Sequence, residues 1–344
     1  MEKNFTLIVH IGAGKTGTSS IQASLLKHKD ELRQYGWDYW GLMLERVDVL
    51  KYAWQRASGS KMLMDIDPDS AAEQLFDVLS ENVKRSISNN INHAIWSNES
   101  FFGRHDRVIS ALRRIESTGV RIKILCYVRN HVSWAKSAYV QWGLKHKSYQ
   151  GKIIDFKSYM KRRPVGFYGS INPWMKSFPD NFMLKNYDVA IDIVSDFSAE
   201  IKIPVEINSV RVNETPLPEE LLLRAIFNNS SKREVFPVEF DLNFLPKRHN
   251  KNIDAEEWMG ELLPKIDDLV EVAKASNEDL LKINQLLQSL GQVPLEFPEI
   301  SVKPLKVNSD IVIHMMLQII VQQSRNIQEI QSSLDQIKNN LSGK

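Results

Sequence analysis

The feature that most constrains the fold is a glycine-rich turn close to the amino end. It lies between an apolar run and an amphipathic stretch, FTLIVHIGAGKTGTSSIQASLLKH, residues 5–28. Residues 5–11 are apolar or β-favouring, as expected of a strand buried on both faces. Gly12, Gly14 and Gly17 permit a tight bend and a close approach of backbone to a ligand. Thr18 and Ser19 can cap a helix that carries Ile21, Leu25 and Leu26. Backbone N–H groups at that helix start, together with the Lys15 ammonium, make a site for a phosphate-like anion. The expected ligand is a nucleotide.

Spacing narrows the kind of site. A Walker A loop requires glycine five residues before the Gly14-Lys15 pair, and Val9 stands there. The dinucleotide pattern G-x-G-x-x-G is met by Gly12, Gly14 and Gly17, but no strand with an acidic residue follows about 20 positions on. A lysine and two hydroxyls inside the loop suit phosphate or sulfate better than a closely packed pyrophosphate.

A second stretch, RIKILCYVRNHVSWAKSAYVQWG at 121–143, reads as a buried strand over Ile122–Val128 running into a helix from about Ser133. Arg129 falls at the carboxyl end of that strand, where ligands bind in open α/β sheets. Ser137 follows eight residues later, and a guanidinium with a hydroxyl suits a terminal phosphate. In HAIWSNESFFG, residues 93–103, Glu99 stands just past another strand and is the first candidate for a general base. A helix cap at Ser97 or Asn98, with Glu99 complementing the dipole, explains the same residues. His10, on the first strand, is the second candidate base, and a buried core histidine is the alternative there. His131 and His146 rank below both.

Composition removes several classes. The 344 residues leave room for one large α/β domain and an appendage, and 43% hydrophobic content supplies a sizeable core. A net charge of +2 makes no electrostatic case for nucleic acid or an anionic membrane. The single cysteine, Cys126, lies in an apolar strand, and no Cys/His cluster suggests a metal. The opening MEKNFTLIVHIG is too short in apolar run for a signal peptide, and no stretch reaches about 18 apolar residues. The expectation is a protein with no membrane span.

Helix and strand patterns alternate along the chain. Helices are expected at 18–34 (ended by Gly36), 70–88, 107–117, 189–200, 254–275 and 277–290. Strands are expected at 93–96, 122–128 and 181–185. Residues 37–70, with Trp37, Tyr39, Trp40 and Trp54, read as an irregular or lightly helical insertion, and 229–252 as a loop closing over the site. This is an α/β class with a mostly parallel sheet flanked by helices. The domain reading is 1–292 for the α/β part, 293–309 for a linker and 310–344 for a terminal helix. In that helix Ile313, Met316, Ile320, Gln323, Ile327, Ile330, Leu334, Ile337 and Leu341 alternate three and four apart, the seam of a coiled coil. Ser309 or Asp310 can cap it. Self-association through 310–341 is expected; a helix folding back on its own domain is the alternative.

The two motifs together resemble the sulfotransferase family, P-loop-fold enzymes that use 3′-phosphoadenosine 5′-phosphosulfate (PAPS), and the wording around Lys15 is most similar to bacterial members acting on carbohydrate-type acceptors. The resemblance implies that Gly14, Lys15, Thr16, Gly17, Thr18 and Ser19 hold the 5′-phosphosulfate. It implies that Arg129 and Ser137, with Tyr139 two beyond, serve the 3′-phosphate. His131 departs from the family's frequent proline and affects the turn. Arg211, in VRVNET, is a further candidate for the nucleotide. Lys15 would neutralise charge on the leaving adenosine 3′,5′-bisphosphate, Glu99 or His10 would act as base, and no metal is implied. The acceptor would be a hydroxyl or amine of a glycan or small molecule. Lys145, His146 and Lys147 can meet an anionic sugar or form a solvated basic helix end, and Ser137, Gln141 and Lys145 share one face of an α-helix. Trp37, Tyr39, Trp40, Phe101, Phe102 and Trp142 can stack on sugars or fill the core. Two other classes stay open: a P-loop kinase or nucleotide-binding phosphotransferase, and a non-catalytic coiled-coil scaffold.

Overall fold

Five short runs pair into one sheet in the computed structural model, which describes residues 5–210, 212, 217–235, 255–297, 300–302 and 306–342. The strands are β1 (Thr6–His10), β2 (Trp37–Tyr39), β3 (His93–Ser97), β4 (Arg121–Val128) and β5 (Phe182–Asn186). Their order is β2-β3-β1-β4-β5, and every neighbouring pair is parallel. In register, His10 lies opposite Ser97 on one side and Leu125 on the other. The chain leaves β1 toward one edge and later crosses from β3 to β4 on the far side. The carboxyl end of β1 is therefore a topological switch point, the place where open α/β sheets bind ligands.

The helices in chain order are α1 (Thr18–Lys27), α2 (Lys29–Gln34), α3 (Ser60–Asp65), α4 (Pro68–Ser88), α5 (Asp106–Glu116), α6 (His131–Ala138) and α7 (Phe156–Arg162). They continue as α8 (Tyr168–Ser177), α9 (Ile193–Ile201), α10 (Pro218–Ser230), α11 (Ala255–Leu262), α12 (Ile266–Ala275), α13 (Asn277–Ser289) and α14 (Ser309–Ser342). Among the described residues no helix is long and apolar enough to cross a membrane.

Contacts group the chain into two compact units, the first made of Met1–Ala135, Pro164–Glu214 and Val270–Glu299, the second of Lys136–Arg163, Thr215–Leu269 and Ile300–Lys344. Residues 136–163 and 215–269 group with the terminal helix. The first unit holds the sheet. Alternate residues of β1 face opposite cores, as the pleat demands. Leu7, Val9 and Ile11 join a core with Leu75 and Val78 of α4, Leu112 of α5, Trp174 of α8 and Ile283 of α13. Ile8 joins the other with Leu125 and Tyr127 of β4, Ile21 and Leu25 of α1, and Val194 and Phe197 of α9.

Several local expectations change. Residues 37–70 are not merely an irregular insertion, because Trp37–Tyr39 adds an edge strand to β3 and Ser60–Asp65 is helical. The first helical stretch breaks at His28, whose Nδ1 lies 2.9 Å from the Ser24 carbonyl, so α1 and α2 are separate. Helix α4 starts two residues early: Pro68 occupies its first turn and the Asp67 side chain accepts from the Ser70 N–H at 2.9 Å. Most of the loop read at 229–252 lies outside the described residues, as 236–252 do; 229 and 230 belong to α10.

In the second unit, α6 passes into a π-helical stretch, Tyr139–Lys145. The wider winding takes Gln141 and Lys145 off the face that an α-helix would share with Ser137. Asn228 of α10 donates to the Leu144 carbonyl at 2.5 Å. Lys147 is fully buried and donates to the carbonyls of Gly151 at 2.7 Å and Ser231 at 2.5 Å, so it is a clamp and not a sugar-binding cation. Tyr139 is likewise buried, donating to the Ile154 carbonyl at 2.9 Å and packing against Phe156 and Tyr159. Helix α14 is capped by Asn308, whose Oδ1 accepts from the Asp310 N–H at 2.9 Å; neither Ser309 nor Asp310 does this. Asn308 is itself tied to α10 through Glu219, at 2.8 Å.

Trp37, Tyr39, Trp40, Trp54 and Phe101 are all buried. Their role in the core yields a test. Trp40→Ala is expected to lower unfolding free energy by about 3–5 kcal/mol in denaturant titration, the cost of emptying a large aromatic site; a sugar-stacking residue would leave that midpoint almost unmoved.

Candidate functional site

The loop from Ile11 to Gly17 is built against β4. The Ile11 N–H donates to the Leu125 carbonyl at 2.9 Å and the Ala13 N–H to the Tyr127 carbonyl at 3.2 Å. Thr16 Oγ1 closes the turn by donating to the Ala13 carbonyl at 2.6 Å. Two further carbonyls are gripped from the junction after β4. Trp134 Nε1 donates to Gly14 O at 2.7 Å, and Arg129 Nη1 donates to Lys15 O at 3.2 Å. Lys15 itself has φ +70, a left-handed conformation that strains a non-glycine residue by about 1–3 kcal/mol and recurs at functional turns.

Gly17 has φ +78 and forms the cap of α1; no side chain caps that helix. A methyl group at Gly17 would stand 2.8 Å from Ile193 Cγ2. One at Gly12 would stand 2.9 Å from His10 Nε2. Glycine is needed at both positions for close packing. The cap expected at Thr18 or Ser19 is therefore replaced by Gly17, which leaves the helix amides at the loop facing an uncapped, positive end. Thr18 Oγ1 is buried without a hydrogen-bond partner. Lys15 and Ser19 are half-buried.

A polar cluster adjoins the loop at the ends of β1 and β3. His10 Nδ1 and Ser97 Oγ share a hydrogen bond of 2.8 Å. Gln22, reaching from α1, donates to Ser97 O at 3.1 Å and to Glu99 Oε2 at 3.1 Å. Asn98 caps the short turn Glu99–Phe101 by accepting from the Ser100 N–H at 2.9 Å, so the capping role anticipated here coexists with a half-buried Glu99 carboxylate. His10 is fully enclosed, edge-on to Phe197 at 5.3 Å and to Tyr127 at 6.0 Å, with Nε2 unpartnered. Burial pushes its imidazole down to about 3, so the ring is neutral at physiological pH. Of the two candidate bases, only Glu99 has solvent access.

Arg129 is half-buried. Its guanidinium lies over the Tyr187 ring at 5.1 Å, and Nε stands 3.7 Å from Asp188 Oδ1. The shorter bond of Asp188 is structural, accepting from the Asn130 N–H at 2.5 Å. Asn130 in turn caps α6, its Oδ1 accepting from the N–H groups of Val132 at 3.0 Å and Ser133 at 3.1 Å. His131 is buried and bonds Asp279 at 2.7 Å through Nε2, which makes it a tie to α13. Cys126 is buried and its thiol is pushed up to about 12 by burial, so it is no nucleophile.

The first unit thus brings Gly14, Lys15, Thr16, Gly17, Thr18, Ser19, Arg129, His10 and Glu99 to the carboxyl edge of the sheet. Ser137 belongs to the second unit, on the last turn of α6. Arg211 lies outside the described residues. Trp134 and Gln22 were not singled out from sequence. Their partners are 120 and 77 residues away, and no local pattern marks them.

No protein-family model matches the chain, and no curated protein matches it.

Enclosure of His10 has a pH consequence. Its folded pKa is depressed below the ordinary 6.5, so the unfolded chain takes up the proton first. Stability is therefore lost as pH falls below 6.5. Between pH 7 and pH 4 the wild type is expected to lose on the order of 3 kcal/mol relative to His10→Phe, measured as unfolding free energy.

Proposed function

We propose that this protein transfers a sulfuryl group from PAPS to a hydroxyl or amine of a glycan or other small acceptor. The observation that carries the reading is the meeting of two distant motifs: the Arg129 guanidinium lies 3.2 Å from the Lys15 carbonyl, beside an uncapped helix start. A donor with two anionic groups needs such a pair of cationic sites at one sheet edge. The sequence resemblance supplies the identity of that donor, and its bacterial members support a cytoplasmic location.

PAPS supplies an activated sulfuryl group on a nucleotide leaving group. The loop fits the anionic end of such a molecule, because α1 offers free amide charge and Thr18 Oγ1 is a buried hydroxyl without a partner. The Lys15 ammonium neutralises charge that grows on the leaving oxygen, in the way that preorganised cations stabilise phosphoryl transfer. Arg129 engages the second anionic group, for which its long 3.7 Å approach to Asp188 leaves donors accessible. Glu99, held by Gln22, accepts the proton of the attacking group. Positioning and charge do most of the work in such in-line transfers.

A magnesium-dependent kinase would place an acidic metal ligand after a strand. Here β3 ends at Ser97 and β4 at Val128, followed by Asn98 and Arg129, so neither strand ends in aspartate.

Ligand-dependent unfolding separates the two chemistries. Adenosine 3′,5′-bisphosphate at 100 times its dissociation constant is expected to stabilise the fold by about 2.7 kcal/mol, while ATP with magnesium leaves it unchanged. The reverse pattern overturns the reading.

Lys15→Ala is expected to keep the ligand-free melting temperature and to lose about 10²–10³ in sulfation rate. Mass spectrometry of glycans from cells carrying either form measures the product. Glu99→Gln is expected to retain bisphosphate binding while losing turnover, a split that a merely structural Glu99 would not produce.

A further inference from the structure

The terminal helix α14 carries two apolar stripes with different fates. Val312, Met315, Met316 and Ile319 pack with Phe227 around Leu223 of α10, all within the second unit. Their spacing of three, one and three is one face of an α-helix, and it occupies the first three turns. Met316, read from sequence as a seam residue, belongs to this half-buried stripe. Beyond it the helix continues to Ser342, for a total length of about 51 Å at 1.5 Å per residue. Along that stretch Ile320, Ile327, Ile330, Leu334 and Ile337 are between 49% and 60% exposed.

We infer that the stretch of α14 beyond Ile319 joins more than two copies of this chain into an in-register coiled coil. Period is the first ground. Ile320, Gln323, Ile327, Ile330, Leu334 and Ile337 alternate three and four apart, averaging 3.5, and a 3.5 repeat keeps facing a neighbour only if helices supercoil around each other. Area is the second. Ile320, Ile327, Ile330, Leu334 and Ile337, at roughly 90 Å² each, offer about 450 Å² of seam per chain, an exposed apolar strip of the size that marks an interaction site.

Charge selects the occupant. The positions flanking the seam from residue 324 onward are Ser324, Asn326, Gln331, Ser333 and Lys338, almost devoid of charge. Coiled coils that choose a different partner do so through opposite charges at these positions. A seam without them suits copies of itself, which need no complementarity. In register, Gln323 meets Gln323 as the one polar layer.

Side-chain shape then sets the number. Isoleucine at both seam positions, and leucine followed by isoleucine, favour three or four strands over two.

The inference stands apart from sulfuryl transfer and is tested on the full chain by sedimentation equilibrium. The expected mass is three or more chains, unchanged in 1 M salt because the seam lacks charge. A mass of one or two chains overturns it, whether or not that species binds other proteins or vesicles; dissociation by salt also overturns it. Ile327→Asp with Ile330→Asp is expected to give a monomer that keeps the wild-type response to adenosine 3′,5′-bisphosphate or, if that reading fails, the wild-type melting transition of the sheet-bearing unit. Should that pair fail to fold, Leu334→Asp with Ile337→Asp, farther from α10, carries the same test. Assembly that survives folded forms of both pairs overturns the inference.

Discussion

Two carbonyl oxygens decide what the amino-terminal loop can hold. In a trans peptide the C=O and the following N–H point to opposite sides. Trp134 fixes the Gly14 carbonyl and Arg129 the Lys15 carbonyl, so the N–H groups of Lys15 and Thr16 are turned away from those two donors. The left-handed Lys15 and Gly17 then alternate with ordinary residues, the local geometry that makes an anion-binding concavity. Loop shape thus depends on a strand end more than a hundred residues away. Had these carbonyls turned inward, they would present negative charge where an anionic ligand is expected.

Below the loop, the sheet sets what can be protonated. β1 lies between β3 and β4 and is walled by helices on both faces, so its last residue, His10, has no route to water. Its bond to Ser97 ties the ends of β1 and β3 together. One residue pair farther, the chain leaves the sheet, and Glu99 regains solvent while Gln22 restrains it. A distance of two residues along β3 therefore separates a group sealed in the core from one that can exchange protons.

The parts legible in sequence were those whose signals are local. The β1 run, the glycines and the α1 stripe are contiguous, and β4 ends visibly at Arg129. The edge strand β2 was hidden because Asp38 stands in the middle of three residues. In the structure Asp38 is buried, with Lys29 Nζ at 3.5 Å and Arg33 Nη2 at 3.3 Å, and that pairing overrides the low strand propensity of aspartate. Sequence does not single out the cap of α14, because Asn308, Ser309 and Asp310 are all good caps and only the bond of Asn308 to α10 distinguishes them. In the terminal helix one apolar stripe folds back on α10 while other apolar positions stay exposed. The half-buried stripe and the exposed positions overlap in sequence at Met316, so periodicity alone does not divide them.

Asp188 carries the remaining tension in the site. An acid beside Arg129 would be expected to compete with an anionic ligand, since a close bidentate carboxylate can saturate a guanidinium. The geometry avoids this. Asp188 gives its short bond to the Asn130 amide at 2.5 Å and stands 3.7 Å from Arg129 Nε. Asn130 uses its side chain to cap α6, so the carboxylate fixes the turn that aims both Arg129 and Trp134. Asp188 therefore acts mainly through the backbone, holding the junction in place. The guanidinium, steadied by the Tyr187 face, keeps hydrogen-bonding capacity for a ligand while one nitrogen maintains the loop.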